Sequence, residues 1–159
     1  MKINDRFKFI RKECEIKPNE NDLFIIINCE VKIKNQSIGR VHGLGHAKIN
    51  STGQKGGLCS AFGNATLEST GQEGGWCKAY GDATLKSNRQ KGGGCEAEDS
   101  STLDSNKQEG GLCRAFNIAI LNSSRQKGGS CMAHDQATLN STGQEGGNCV
   151  AHDRAKLIE

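Results

Sequence analysis

From residue 54 onward the small and apolar residues fall at fixed places. Cys59, Cys77, Cys95, Cys113, Cys131 and Cys149 stand 18 residues apart, as read along the chain of 159 residues. Ala follows each by two residues and Ala or Ser by six. Leu follows by eight, as Leu67, Leu85, Leu103, Leu121, Leu139 and Leu157, and Ser by ten in all copies but the last. Gln stands five before each cysteine, as Gln54, Gln72, Gln90, Gln108, Gln126 and Gln144, and Gly-Gly stands between the two. The small and apolar positions sit at even offsets, the period of a strand and not of a helix. Thr66, Thr84, Thr102 and Thr138 lie between them, which suits a strand. Gly-Gly, and the Gly, Asn or Asp four residues after Cys, mark two turns. Each copy therefore reads strand–turn–strand–turn. A unit this small cannot bury its own face, so neighbours must stack. The pattern predicts an all-β fold: a β-solenoid of 18-residue coils with two thin parallel sheets.

The register continues upstream in weaker form through Val41, Gly43, Ala47, Ile49 and Ser51, with Gln36 and Gly39 before them. One step further back fall Leu23, Ile25, Ile27, Cys29, Val31 and Ile33. The chain thus divides into an N-terminal arm over 1–22, an apolar first layer and degenerate coil over 23–53, and a six-copy repeat region over 54–159. Seven or eight layers at the strand spacing give a rod of roughly 35 Å.

One column tests the coil length. Four residues before each cysteine run Lys55, Glu73, Lys91, Glu109, Lys127 and Glu145, with strictly alternating sign. In an 18-residue coil each charge stands between two opposite ones; in a coil twice as long, Lys would stack on Lys. The shorter coil follows, and the column serves register, since a slip by one repeat would bring like charges together. The Gln column is placed to form an amide ladder along the axis, and Ser a hydroxyl ladder.

Composition narrows the function classes. Only 4% of residues are aromatic, with 21 Gly and one Pro, which argues against an ordinary globular core. The longest apolar run, Leu23 to Ile27, is far short of the ~18 residues a membrane helix needs, so no membrane insertion is expected. Residues 51–159 are nearly balanced in charge, which speaks against nucleic acid as a partner. The start of the chain shows no secretory signal pattern. Phosphate-loop and nucleophile-elbow motifs are absent, so the sequence predicts no enzyme, no catalytic residue and no cofactor.

The cysteine column has three readings. It can be a stack of small buried side chains, which is the preferred one, a row of disulfides between adjacent layers, or a metal row. A one-dimensional row supplies poor tetrahedral geometry, and no Cys-x-x-Cys occurs, so no metal is expected. His134 and His152 share a column with Phe62, Tyr80, Glu98 and Phe116, a tolerant outward position. His42 and His46 read as a solvated edge.

The spacing Gln72, Gly74, Cys77, Ala79, and its copy Gln90, Gly92, Cys95, Ala97, resembles the repeat of curlin, the subunit of bacterial curli fibres. This chain carries Cys where that repeat has Asn, Ala where it has a second Gln, and a shorter Ser-to-Gln spacing. The resemblance implies a β-solenoid that stacks into extracellular fibres.

Open solenoid ends are strand edges that can template another chain, and head-to-tail contact does not close, so it yields filaments. The reading is a structural subunit of a homopolymeric fibre at the cell or spore surface or outside the cell, with itself as partner. Residues 155–159 carry no capping element, which leaves one end open. In the arm, Phe7 and Phe9 are apolar anchors and Cys14 is the most accessible thiol. Together with Leu23, Ile25 and Ile27 they are expected to dock on, and crosslink to, the next subunit. The alternative is a soluble monomeric binding module, ice- or surface-binding, whose arm folds over its own first layer. Against ice binding stands a single outward Thr file.

Overall fold

The computed structural model describes residues 7–16, 18, 22–36 and 38–158. Strands come in pairs along the chain, one pair per coil. β1 (Phe7–Ile10) and β2 (Cys14–Ile16) make the first coil, β3 (Leu23–Ile27) and β4 (Glu30–Lys34) the second, and β5 (Arg40–Leu44) and β6 (Lys48–Thr52) the third. Then follow β7 (Leu58–Phe62) with β8 (Thr66–Thr70), β9 (Trp76–Tyr80) with β10 (Thr84–Asn88), and β11 (Gly94–Ala97) with β12 (Thr102–Asn106). The last coils are β13 (Leu112–Ala115) with β14 (Ile120–Ser124), β15 (Ser130–Ala133) with β16 (Thr138–Thr142), and β17 (Asn148–Ala151) with β18 (Lys156–Ile158). Odd-numbered strands form one 9-stranded sheet and even-numbered strands the other. Both are parallel and in register, with Cys59 on Cys77 and Leu85 on Leu103. The β-solenoid of 18-residue coils is thus the fold, with more layers than the seven or eight expected.

The interior follows the even-offset rule throughout the repeats. Cys59, Ala61, Ala65, Leu67 and Ser69 are buried, as are their counterparts in the following coils up to Leu139. Each buried Leu contributes about 1.5–3 kcal/mol of burial free energy. No more than Ala or Cys stands opposite it, so the sheets lie close and the core is a single file of side chains per column.

The corner between coils explains the Gly-Gly pair. Gly75 has φ of 74°, and a Cβ there would lie 2.7 Å from Gln54 Nε2 and from the Gly57 carbonyl oxygen. At Gly74 a Cβ would meet the Lys55 carbonyl oxygen at 2.4 Å. Successive corners pack too tightly for any side chain. The corner six residues before each cysteine also needs a left-handed residue. Gly53, Gly71 and Gly143 meet that need, but Arg89, Lys107 and Arg125 adopt φ of 55°, 56° and 54° at the same place.

The upstream coils depart from the sequence expectation in two ways. First, no separate arm spans the described part of 1–22. β1 pairs with β3, Phe7 on Leu23, and β2 pairs with β4, Cys14 on Val31, so residues 7–16 are a full coil of the solenoid. Second, Phe24 and not Leu23 pairs with Val41. Phe24 and Ile26 point inward, and Leu23, Ile25 and Ile27 are only half-buried. The cause is the turn between β3 and β4. Only Asn28 and Cys29 lie there, against three residues in the next coil, so the alternation upstream shifts by one. Downstream of that turn the register holds, and Val31 and Ile33 are buried.

Candidate functional surfaces

The cysteine and glutamine columns form one network. Gln72 Nε2 donates to the Gly75 carbonyl at 3.0 Å and to the Gly94 carbonyl of the next coil at 3.3 Å. Its Oε1 accepts from the Cys95 thiol, also of the next coil, at 3.4 Å. The same thiol-to-amide bond joins Cys59 to Gln36, Cys77 to Gln54, Cys113 to Gln90, Cys131 to Gln108 and Cys149 to Gln126. The expected Gln-to-Gln ladder is therefore replaced by a Gln–Cys ladder. The amide N–H of Gln54, Gln72, Gln90 and Gln126 goes to a corner carbonyl instead, and Gln108 Nε2 has no partner among the described residues. Ser shares in this: the Ser141 hydroxyl donates to Cys149 Sγ at 3.3 Å. An amide ladder does form, but on the outside, where Asn140 donates to Asn122 and Asn122 to Asp104, both at 2.7 Å.

No disulfide joins the cysteines. Burial pushes the Cys59 thiol up to about 12, and contact with the neighbouring cysteine of the column, followed by burial, holds those of Cys95, Cys113 and Cys131 above the ordinary value. A thiol that stays protonated and covered is a poor nucleophile and a poor ligand. Among the described residues no group of three His, Cys, Asp or Glu converges as metal ligands would. His134 and His152 stack face to face on the outside of the odd-numbered sheet, with ring centroids 4.8 Å apart, and Phe116 extends that file. His42 packs on Phe62, and burial together with Arg40 lowers its pKa.

Lys55, Glu73, Lys91, Glu109, Lys127 and Glu145 stand one above another on successive corners, all exposed, and each backbone N–H donates to the Gln carbonyl of the preceding coil. The described ion pairs lie elsewhere, for example Lys34–Glu15 and Lys86–Glu68. The outward face of the even-numbered sheet carries two hydroxyl or amide files, where one Thr file was expected. Beside Thr66, Thr84, Thr102 and Thr138 runs a second file of Thr52, Thr70, Asn88, Asn106, Ser124 and Thr142, with Glu68, Lys86 and Asp104 between them.

At the N-terminal end Cys14 is exposed, and the half-buried Cys29 donates to the Ile10 carbonyl at 3.5 Å. Phe9 is 64% exposed. Residues 7–16 lie on the chain's own second coil, so the segment expected to reach across to a neighbour is occupied within its own rod. At the other end the columns open. Leu157 is 38% exposed where Leu139 is 0%, Gln144 is exposed, and Cys149 is half-buried.

The strongest break in the repeat escaped the sequence reading. In the outward column just before the cysteines stand Leu58, Trp76, Gly94 and Leu112. The Trp76 indole leans over Gly94, where a Cβ would come within 2.3 Å of its Cζ3. Beside it Lys78 donates to Glu96 at 2.5 Å, and Glu96 is almost covered. Tyr80 stacks on Phe62 with centroids 4.9 Å apart. Burial raises the Glu98 pKa, and Glu96 adds to it. The signal was available: a third Gly directly after Gly-Gly occurs once, one coil after the chain's single Trp.

No protein-family model matches the chain, and neither a curated protein nor a solved structure matches it.

Proposed function

We propose that the chain is a structural subunit that associates end to end with further copies of itself, in a curlin-like fibre outside the cell or at its surface. The observation that carries this reading is that the coils are interchangeable: each stacks on the next in parallel and in register, Cys59 on Cys77, Leu85 on Leu103 and Leu139 on Leu157, so every coil offers its successor the same backbone groups and the same buried columns. A coil of a second copy fits the same surface, and a heterologous contact of this kind extends without closing. We read the chain as no enzyme.

Electron microscopy and light scattering of the full chain test this. Filaments or concentration-dependent oligomers are expected, and Leu157→Lys with Ile158→Lys should abolish them while leaving the strand signal in place. A monomer at high concentration, or assembly indifferent to those two changes, would overturn the reading. A monomeric binding module is favoured by one observation: the first coil already covers Phe24 and Ile26 at the opposite end.

A further inference from the structure

The outward face of the odd-numbered sheet is not uniform. Around Trp76 lies an open cavity of about 550 Å³, walled by Ile38, Arg40 and Leu58 on one side and by Lys78 and Glu96 on the other. The indole is 37% exposed and leans over the backbone at Gly94, a position where the column otherwise carries side chains. A residue with a Cβ would displace it, so the glycine fixes the ring as a broad apolar platform on a rigid, in-register sheet.

Next to the platform are hydrogen-bonding groups held in place. Lys78 and Glu96 bind each other at 2.5 Å, and the Glu96 side chain is only 10% exposed. Lys78 Nζ lies 5.8 Å from the indole centroid. Such pairing holds both polar ends beside the ring. The charged groups of the wall are of both signs: Arg40 and Lys78 stand against Glu96.

These features select an occupant. An anion would meet Glu96, and a cation would meet Arg40 and Lys78. A wholly apolar molecule would strip water from Lys78, Glu96 and Arg40 without replacing its hydrogen bonds. A neutral ring with one C–H face and a rim of hydroxyls satisfies every wall. We propose that this groove binds a neutral pyranose unit of an oligo- or polysaccharide, its C–H face on the Trp76 indole and its hydroxyls on Glu96, Lys78 and Arg40. The cavity is open and lies along the sheet, so a unit within a chain fits it as well as a terminal one. The site lies on the side of the rod and does not depend on end-to-end association.

Trp76 is the single tryptophan, so intrinsic fluorescence reports on this site alone. The full chain is titrated with cellohexaose, chitohexaose and mannohexaose, with emission and calorimetric heat recorded together. At least one of the three should shift the emission and bind with Kd below about 1 mM, the weak end of specific recognition. Trp76→Ala, read by calorimetry, and Gly94→Ala, read by both, should each weaken binding at least tenfold with circular dichroism unchanged. Glu96→Gln should weaken it severalfold. Binding in the Leu157→Lys, Ile158→Lys chain should equal that of the unaltered chain, which separates this site from the assembly reading. No emission change and no heat with any of the three sugars would overturn the proposal. So would sugar binding that survives Trp76→Ala, or emission that responds to an apolar dye or a charged ligand and to none of the sugars.

Discussion

The second and third coils and the six that follow share one backbone path but are filled by different means. Phe24, Ile26, Val31, Ile33, Val41 and Ile49 occupy the N-terminal interior, all buried. From Cys59 on, the same positions hold Cys, Ala, Leu and Ser, with Gln72, Gln90, Gln108 and Gln126 buried at the corners. Bulky aliphatic groups supply more burial per coil, and that burial is indifferent to exact spacing. The N-terminal coils accordingly tolerate a shortened turn and a phase change. The repeats bury less apolar surface per coil and add a directional network, Gln to Gly carbonyl and Cys to Gln. Hydrogen bonds of that kind are satisfied in one register only. Irregular coil length and generic filling go together, and so do strict period and polar lining.

The largest test of this contrast places a charge in each interior. Leu103→Asp should cost at least about 4 kcal/mol by burying an unpaired carboxylate in the middle of the rod, seen as collapse of the cooperative thermal transition. Ile26→Asp should instead fray the first coils and leave most strand signal, because each coil of a solenoid leans only on its neighbours. If the two variants melt alike, the rod is one cooperative unit and the contrast fails.

Alkali should separate the halves next. An unfolded cysteine ionises near 9.0, whereas Cys59 keeps its proton up to about 12. The folded value is raised, so this stability is fully present below pH 9 and is lost as pH rises from 9 to 12. The fully buried thiols belong to the repeats, while Cys14 and Cys29 are exposed and half-buried. Chemical denaturation across that range should show a steep loss, made shallower by Cys59→Ala. A flat profile would mean that the thiols ionise in place.

A smaller effect is expected from Gln90→Leu. It removes the donor to the Gly93 carbonyl and the acceptor for the Cys113 thiol, which should cost about 1–3 kcal/mol by urea denaturation. Equal stability would assign the polar lining no part in holding the repeats. Least of all, Lys107→Asn should raise stability by up to about 1 kcal/mol, since Asn tolerates the left-handed backbone that Lys107 adopts better than Lys does. A loss on that substitution would point to a contact of the Lys107 side chain that outweighs the strain.

Coil length, parity and the buried columns were legible because the repeats hold every turn constant, so offset alone fixes which face a residue takes. That inference stops where a turn changes length. The sequence around 23–33 alternates without interruption, and nothing in the alternation reveals that the turn at Asn28 and Cys29 is one residue short. Residues 7–16 escaped for a related reason: their two strands pair at other offsets and carry none of the repeated residues. The Gln partner was misread because a column shows which residues stack, not which group takes each amide N–H. Trp76 and Gly94 were visible as single departures from their column, yet their meaning rests on the ring lying over the next coil, a relation between layers.

Each cysteine of the ladder bonds back to a glutamine in the coil before it, and Cys113 also reaches Gln108 of its own coil. The acceptor is always the earlier residue in the chain. During synthesis on a ribosome, the site that receives each new coil is therefore finished before that coil emerges. The molecule can grow like brickwork, each course bonded to one already set, and translation sets the order of the courses.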